Sequence, residues 1–302
     1  MISGAGGAVG PVVVVGDLMV DVVAAAAAPL AHASDTDARV RWTGGGAAAN
    51  VAAWLAEDRV PVALVARVGD DLAGRGAVDE LRAVGVDVRV TVETDHGTGT
   101  CVVVIGADGE RTMLPDRGAN LALAPDDVPA ELFAAGGHLH LSGYVLLHDG
   151  PRAAGLAALD HAREAGMTIS VDPASAAPLR AVGAEAFLGW MHEVEHLLPN
   201  LDEARALTGE SGGEAAARAL VASGAAREVV VKAGAAGALW TDGRDVLHVA
   251  APSVDVVDTT GAGDAFAAGW LAARLGGAGV EAALAAACAQ GARAVARAGA
   301  RP

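Results

Sequence analysis

The sequence predicts an α/β fold, a three-layer α/β/α sandwich with a small β-sheet lid. Short β-branched runs alternate with Ala- and Leu-rich segments of helical length over most of the chain, and such alternation builds a mainly parallel sheet covered on both faces. Two stretches, 21–43 and 86–118, break the alternation with short extended segments and turns. The last part, from Asp264 to Ala300, holds no strand-like run and reads as helices. One domain over 11–302 is expected, behind a flexible glycine-rich tail at 1–10.

Val12-Val13-Val14-Val15 is apolar on both sides, as a buried strand requires, and Gly16-Asp17 stops it. Further strands are expected at Val62–Val68, Val102–Ile105, His138–Leu141, Thr168–Val171, His196–Leu198 and Val229–Val231. Helices are expected at Ala47–Leu55, Leu72–Ala83, Arg152–Ala165, Asp202–Leu207, Glu214–Ala222 and Ala265–Leu275. Asp108-Gly109, between Thr100–Ile105 and Arg111–Leu114, is a hairpin signal. The two irregular stretches read as one small sheet over the edge of the main one.

Composition narrows the function. The 302 residues are 53% hydrophobic and 19% charged, which supports a sizeable core and argues against disorder. A net charge of −16 argues against a nucleic-acid partner, whose phosphates call for Lys and Arg. The two cysteines, Cys101 and Cys288, build neither a disulfide framework nor a thiolate zinc site, and they fit a reducing cytoplasm. Val12–Ala33 is apolar, but Asp17 and Asp21 interrupt it and no Lys or Arg precedes it, against a signal peptide. No uncharged apolar run reaches the ~20 residues of a membrane span.

The segment richest in chemistry is Asp258-Thr259-Thr260-Gly261-Ala262-Gly263-Asp264-Ala265-Phe266. It opens an apolar helix, so Thr-Gly-Ala-Gly lies where free amides and the helix dipole favour an anion. The two glycines let a phosphate approach the backbone. A carboxylate beside that anion would only repel it, unless Asp264 takes a proton from an attacking hydroxyl. Phosphoryl transfer needs such a cradle, a metal and a base. The bland alternative is a glycine turn with an aspartate cap.

Asp258–Phe266 resembles the C-terminal signature of the ribokinase-like carbohydrate kinases, the PfkB family. Gly45-Gly46-Ala47-Ala48-Ala49-Asn50-Val51-Ala52 resembles its N-terminal signature, in the right order, and the resemblance runs from about Val12 to Pro302. It implies an ATP- and Mg²⁺-dependent kinase for a small sugar-like substrate. Asp264 would be the base, and the amides of Gly261, Ala262 and Gly263 would hold the transferring phosphate. Asp17, Gly45, Gly46 and Asn50 match substrate-binding positions. Asn200-Leu201-Asp202-Glu203 resembles an Asn-x-x-Glu motif whose glutamate helps organise Mg²⁺. Lys232, Gly234 and Gly237 fall in a stretch similar to the nucleotide loop. Asp258 and Thr260 match positions near a monovalent-cation (K⁺) site. The lid would cover the sugar and pair two copies into a homodimer.

Several residues carry two readings. Glu203 could equally cap or complement the helix dipole. Gly45-Gly46 could be only a tight turn. Asn50 is awkward as plain core, because a buried amide needs partners. Arg111 and Arg117, in the lid, could hold a substrate anion or remain solvated. Asp172-Pro173 could face the site or cap a turn. His138 and His140 alternate as the satisfied polar face of a strand. His192-Glu193-Val194-Glu195-His196 matches His-Glu-x-x-His, but Pro199 and the strand at His196–Leu198 deny it the continuous helix that zinc binding needs. A P-loop is absent, and the glycines at 4–10 precede a strand rather than follow one. Ala47 stands where ribokinases carry lysine, which puts ribose itself in doubt. With one Tyr and three Phe, few platforms exist for a nucleobase. A free sugar or sugar acid leads, a nucleoside of the adenosine type follows, and a non-catalytic sugar sensor is the alternative from another class.

Overall fold

A computed structural model describes residues 10–106, 111–192 and 194–302. The Asp108-Gly109 turn and nearly all of the expected tail lie outside the described residues, as does Glu193.

The chain builds two sheets. In order, β1 (Val12–Val15) leads to β2 (Met19–Ala26) and β3 (Ala38–Gly45), then α1 (Ala47–Glu57), β4 (Val62–Gly69), α2 (Leu72–Ala83), β5 (Asp87–Glu93), β6 (Gly99–Ile105) and β7 (Arg111–Asp116). There follow β8 (His138–Ser142), α3 (Tyr144–Leu147), α4 (Asp149–Glu164), β9 (Thr168–Asp172), α5 (Ala176–Val182), α6 (Ala184–Trp190) and β10 (Val194–Leu197). The chain closes with α7 (Leu201–Thr208), α8 (Gly213–Ala222), β11 (Ala226–Lys232), β12 (Ala238–Thr241), β13 (Val246–Val249), α9 (Ala262–Leu275) and α10 (Val280–Val295).

The main sheet runs β13-β12-β11-β10-β9-β8-β1-β4-β5, and the small one β3-β2-β6-β7. From β11 to β5 every neighbouring pair is parallel. The β12–β13 hairpin closes one edge antiparallel. Its four-residue strands are too short to show a period in sequence, and the Asp242 carboxylate shapes its turn by accepting from the amides of Arg244 and Asp245.

Two apolar clusters flank the sheet. On one face Trp54, Phe266, Trp270 and Leu284 join α1, α9 and α10, with α2 alongside. On the other, Leu146, Leu159, Phe187, Leu207 and Leu220 join the helices from α3 to α8. The three expected layers follow from this.

The lid differs in extent from the expected stretches. Residues 87–93 form β5, which extends the main sheet beside β4, so the second lid segment begins at Gly99. Alternation explains the division: along β5 only Val88 is buried, an edge-strand pattern that sequence cannot tell from a lid strand. Within the lid, Met19, Val23, Cys101 and Val103 face inward.

Candidate active site

Parallel strands end together. The carboxyl ends of β1, β8, β9, β10 and β11 bring Asp17, Ser142, Asp172, Asn200 and Lys232 to one edge of the sheet, the usual ligand edge of such folds. The head of α9 meets them there, because Lys232 Nζ would lie 3.5 Å from a Cβ placed on Gly263.

Asp17 is buried and accepts from Ser142 Oγ at 3.1 Å, the Ala47 amide at 3.1 Å and Arg117 Nη1 at 3.4 Å. Gly46 allows this approach: its φ is 90°, and a Cβ there would lie 2.6 Å from the Asp17 carbonyl oxygen. Gly46 caps α1, which carries Asn50 inward. Asn50 Nδ2 donates to Asp264 Oδ2 at 2.8 Å, and Asn50 Oδ1 accepts from Arg301 Nε at 3.2 Å. Arg301 also donates to the Gly45 carbonyl at 2.7 Å and meets Glu80 at 3.1 Å. Gly45 is buried against this arginine and Asp21.

Gly261 caps α9 in the left-handed region, with φ 74°, where a Cβ would strike the Ala300 backbone. The first intrahelical bond runs from the Ala265 amide to the Gly261 carbonyl, so the amides of Gly263 and Asp264 lie ahead of it and face the cleft end. The Ala262 amide leans back on Thr259 at 3.4 Å. Burial pushes the Asp264 carboxyl up to about 8; the Asn50 amide and Lys232 pull it down, while Asp172 and Asp17 push it further up.

Lys232 Nζ meets Asp172 Oδ2 at 2.5 Å. Burial opposes its charge, but Asp172, Glu203 and Asp264 around it hold its pKa above the ordinary lysine value. Asp172 thus does both: its Oδ1 caps the turn by accepting from the Ala174 amide at 3.1 Å, and its Oδ2 pairs with Lys232. Asn200 and Glu203 form a reciprocal cap at the start of α7: Asn200 Oδ1 accepts from the Glu203 amide at 2.9 Å, and Glu203 Oε2 accepts from the Asn200 amide at 2.8 Å. Burial raises the Glu203 carboxyl to about 7, with Lys232 lowering it and Asp172 raising it. Glu203 is thus a cap whose second oxygen also accepts from Asn200 Nδ2, at 2.6 Å, and it lies close enough to Lys232 and Asp172 to feel their charges.

A cleft of about 470 Å³ runs from Lys232 and Gly263 past Gly234 and Gly237 to an apolar end at Val256, Phe266, Cys288 and Val295. One end offers a cation and amides, the other an apolar slot, which suits a charged tail on a flat apolar ring. Separately, Gly16, Asp17, Arg117, Asn120 and Tyr144 line a small recess of about 10 Å³, room for one water molecule.

Arg111 and Arg117 part company. Arg117 reaches Asp17 and stacks 3.7 Å over the Tyr144 ring. Arg111 instead reaches Asp258 Oδ1 at 2.9 Å, Thr259 Oγ1 at 2.9 Å and Thr260 Oγ1 at 3.3 Å. Asp258 Oδ1 also accepts from the Thr260 amide, and its Oδ2 takes the Gly299 amide and Arg41. Both oxygens are committed, so the residues around Asp258 and Thr260 do not fit an added monovalent cation. Sequence reasoning missed Arg301, Glu80, Ser142 and Asn120, none of which sits in a motif. Among the described residues no cluster of three or more His, Cys, Asp or Glu could hold a metal ion, and His196 lies on β10, not on a helix.

The sequence model described as pfkB family carbohydrate kinase matches residues 11–302. The chain belongs to the pfkB family. Among curated relatives of this pfkB kinase, an ATP-dependent ribose-1-phosphate kinase of Halopiger xanaduensis is 35% identical, covering 86% of this chain and 83% of its own. A fructokinase of Klebsiella pneumoniae is 33% identical over 87% of this chain and 84% of its own. Among solved structures, adenosine kinase from Sinorhizobium meliloti superposes with a TM-score of 0.86 at 25% identity, covering 98% and 96% of the two chains. This pfkB protein is an ATP-dependent sugar or nucleoside kinase.

Proposed function

We propose that this pfkB kinase transfers the γ-phosphoryl group of ATP to a hydroxyl of a free sugar or sugar acid, with Asp264 as general base. The observation that carries the reading is the Asp264 carboxyl itself. It stands in the first turn of α9, next to Gly263 at the end of the cleft, held by Asn50, and burial pushes it up to about 8. A base tuned to near neutrality suits an alcohol nucleophile.

ATP lies along the cleft, with its phosphates at Lys232 and the amides of Gly263 and Asp264. The acceptor lies between Asp17, Asn50 and the lid, its hydroxyls bonded by Asp17 and Arg117. The acceptor oxygen attacks the γ-phosphorus, the bond to ADP breaks, and the hydroxyl proton passes to Asp264. Lys232 and the α9 amides stabilise the charge that spreads over the transferring group. Glu203, both of whose oxygens already accept from Asn200 (its amide at 2.8 Å and its Nδ2 at 2.6 Å), would act only through water on magnesium brought to this end of the cleft by the substrate phosphates. When bound with the nucleotide the metal neutralises phosphate charge. The lid over the acceptor excludes water and so limits wasteful hydrolysis of ATP.

The aromatic inventory favours a sugar over a nucleoside. Arg117 already covers the Tyr144 face, and Trp42 stands 66% exposed on the lid. ADP release measured across sugars, sugar acids, sugar phosphates and nucleosides tests this. A free sugar or sugar acid is expected to give the highest kcat/KM; a nucleoside well above every sugar would sink the substrate class, and no stimulated turnover at all would favour the sugar sensor.

The kinase acts as a homodimer through the lid. Strand register sets Trp42, Val22, Val102 and Leu114 in one row across the outer face, opposite the inward residues. Trp42, Val102 and Leu114 are exposed, an apolar patch that a second lid would cover.

A further inference from the structure

Asp258 is 4% exposed and opens the loop that leads into Gly261–Gly263. A buried carboxylate there needs a counter-charge, and an uncompensated one would distort the loop it anchors. The family resemblance assigns that charge to an alkali ion. In this chain the position is filled from within the protein: one guanidinium nitrogen of Arg111 sits among Asp258 Oδ1, Thr259 Oγ1 and Thr260 Oγ1, at 2.9, 2.9 and 3.3 Å. Arg41 stands on the other carboxylate oxygen at 3.5 Å. An ion at Asp258 would have to displace a charged group already bonded to all three oxygens.

Both arginines come from the lid. Arg111 begins β7 and Arg41 lies in β3, the two edge strands of the small sheet. The counter-charge therefore reaches the loop only when the lid is docked on it. Arg111 is also tethered at 23% exposure, so its side chain is held rather than solvated.

We infer that Arg111, backed by Arg41, is the built-in cation of this kinase: it replaces an alkali ion at Asp258, and lid docking delivers it to the phosphate-binding loop. The inference rests on reading Gly261–Gly263 as that loop. Two consequences separate it from an ordinary surface ion pair. The enzyme works without potassium, and removal of Arg111 opens a site that potassium can enter.

The test compares the full-length wild type with Arg111→Ala and Arg111→Lys. Each is assayed by ADP release, with the best acceptor from the panel, in potassium, sodium and tetramethylammonium chloride at equal ionic strength, which equalises screening. Thermal unfolding is followed in the same salts without substrates. Wild type is expected to show the same kcat/KM and the same Tm in all three. Arg111→Ala is expected to lose at least about tenfold in kcat/KM in tetramethylammonium, as removal of a charge-assisted hydrogen-bond set does, and to recover part of it in potassium, with a matching rise in Tm. Arg111→Lys keeps a charge but not the fork, and is expected to lose less. Potassium activation or stabilisation of the wild type overturns the inference, and so does an Arg111→Ala loss that is equal in every salt. A failure of the kinase reading looks different: the wild type releases no ADP with any acceptor, and the unfolding comparison still reports whether Asp258 takes potassium.

Discussion

Asn50 Nδ2 donates to Asp264 Oδ2 at 2.8 Å, tying together two residues 214 positions apart. Asn50 can aim its donor at the carboxylate because its oxygen is occupied by Arg301, which Glu80 and the Gly45 carbonyl hold in turn. A chain of polar contacts thus runs from α2 through the end of the chain and α1 to the proposed base. Buried polar networks of this kind fix one orientation when every member is paired.

Replacing the proposed base separates chemistry from stability. Asp264→Asn is expected to lower kcat by ~10²–10⁴, the usual contribution of a general base. In the wild type kcat/KM should rise with pH through a limb near the Asp264 pKa of about 8. The folded protein holds this proton more tightly than the unfolded chain, whose carboxyl has the ordinary value of 3.8. Its stability contribution is therefore full below that value and is lost as pH rises through about 8. Asparagine stays neutral, so Tm of the variant relative to wild type should increase between acid and alkaline pH. Turnover near wild type would remove Asp264 from the mechanism.

Arg301→Met should free the Asn50 amide to turn and leave Asp264 without an aimed donor. The Asp264 carboxyl then rises further, so the acid limb of kcat/KM moves to higher pH and kcat falls more than the KM for ATP changes. Arg301→Lys, which keeps a donor and the charge, should restore part of this. Loss of active protein with an unmoved limb would mean that Arg301 serves folding alone.

The buried histidines set an acid limit. His138 bonds to Thr168 Oγ1 at 2.7 Å and Ser170 Oγ at 2.8 Å, and His140 bonds to the same serine at 2.8 Å. Burial lowers His140 from 6.5 to about 4, and His138 is lowered too. A neutral buried histidine contributes stability above pH 6.5 that is lost as pH falls towards about 4. His140→Gln keeps a hydrogen-bonding group without the titration. The decline of Tm over this window should be shallower than in wild type; parallel curves would count against the histidine.

Trp42→Glu should produce monomers by sedimentation at micromolar protein, because a buried interface tryptophan commonly carries 2 kcal/mol or about that much more and a charge there would need desolvation. A wild type that sediments as a monomer at every concentration would refute the lid dimer.

The layers and the two glycine signatures were legible because they depend on local order. β-branched runs make strands, Ala-rich runs make helices, and a Gly-Ala-Gly at a helix start leaves backbone amides unpaired whatever surrounds it. Asp264 could be picked out by that route, and Asp17, Asn50, Glu203 and Lys232 through the resemblance of their segments to the family's motifs. Arg301 could not: Gly299-Ala300-Arg301-Pro302 has no pattern, and its role arises only where α1 and α2 converge on it. The same holds for Arg111 and Arg117, alike in sequence yet facing Asp258 and Asp17, because lid register decides which arginine meets which carboxylate. β5 shows the limit for backbone as well, since membership of a sheet is fixed by the neighbour it pairs with. Spacing along the chain specifies the elements and the glycine turn at the head of α9; polar pairing across 100 residues or more, and with it the tuning of Asp264, is settled by packing in three dimensions.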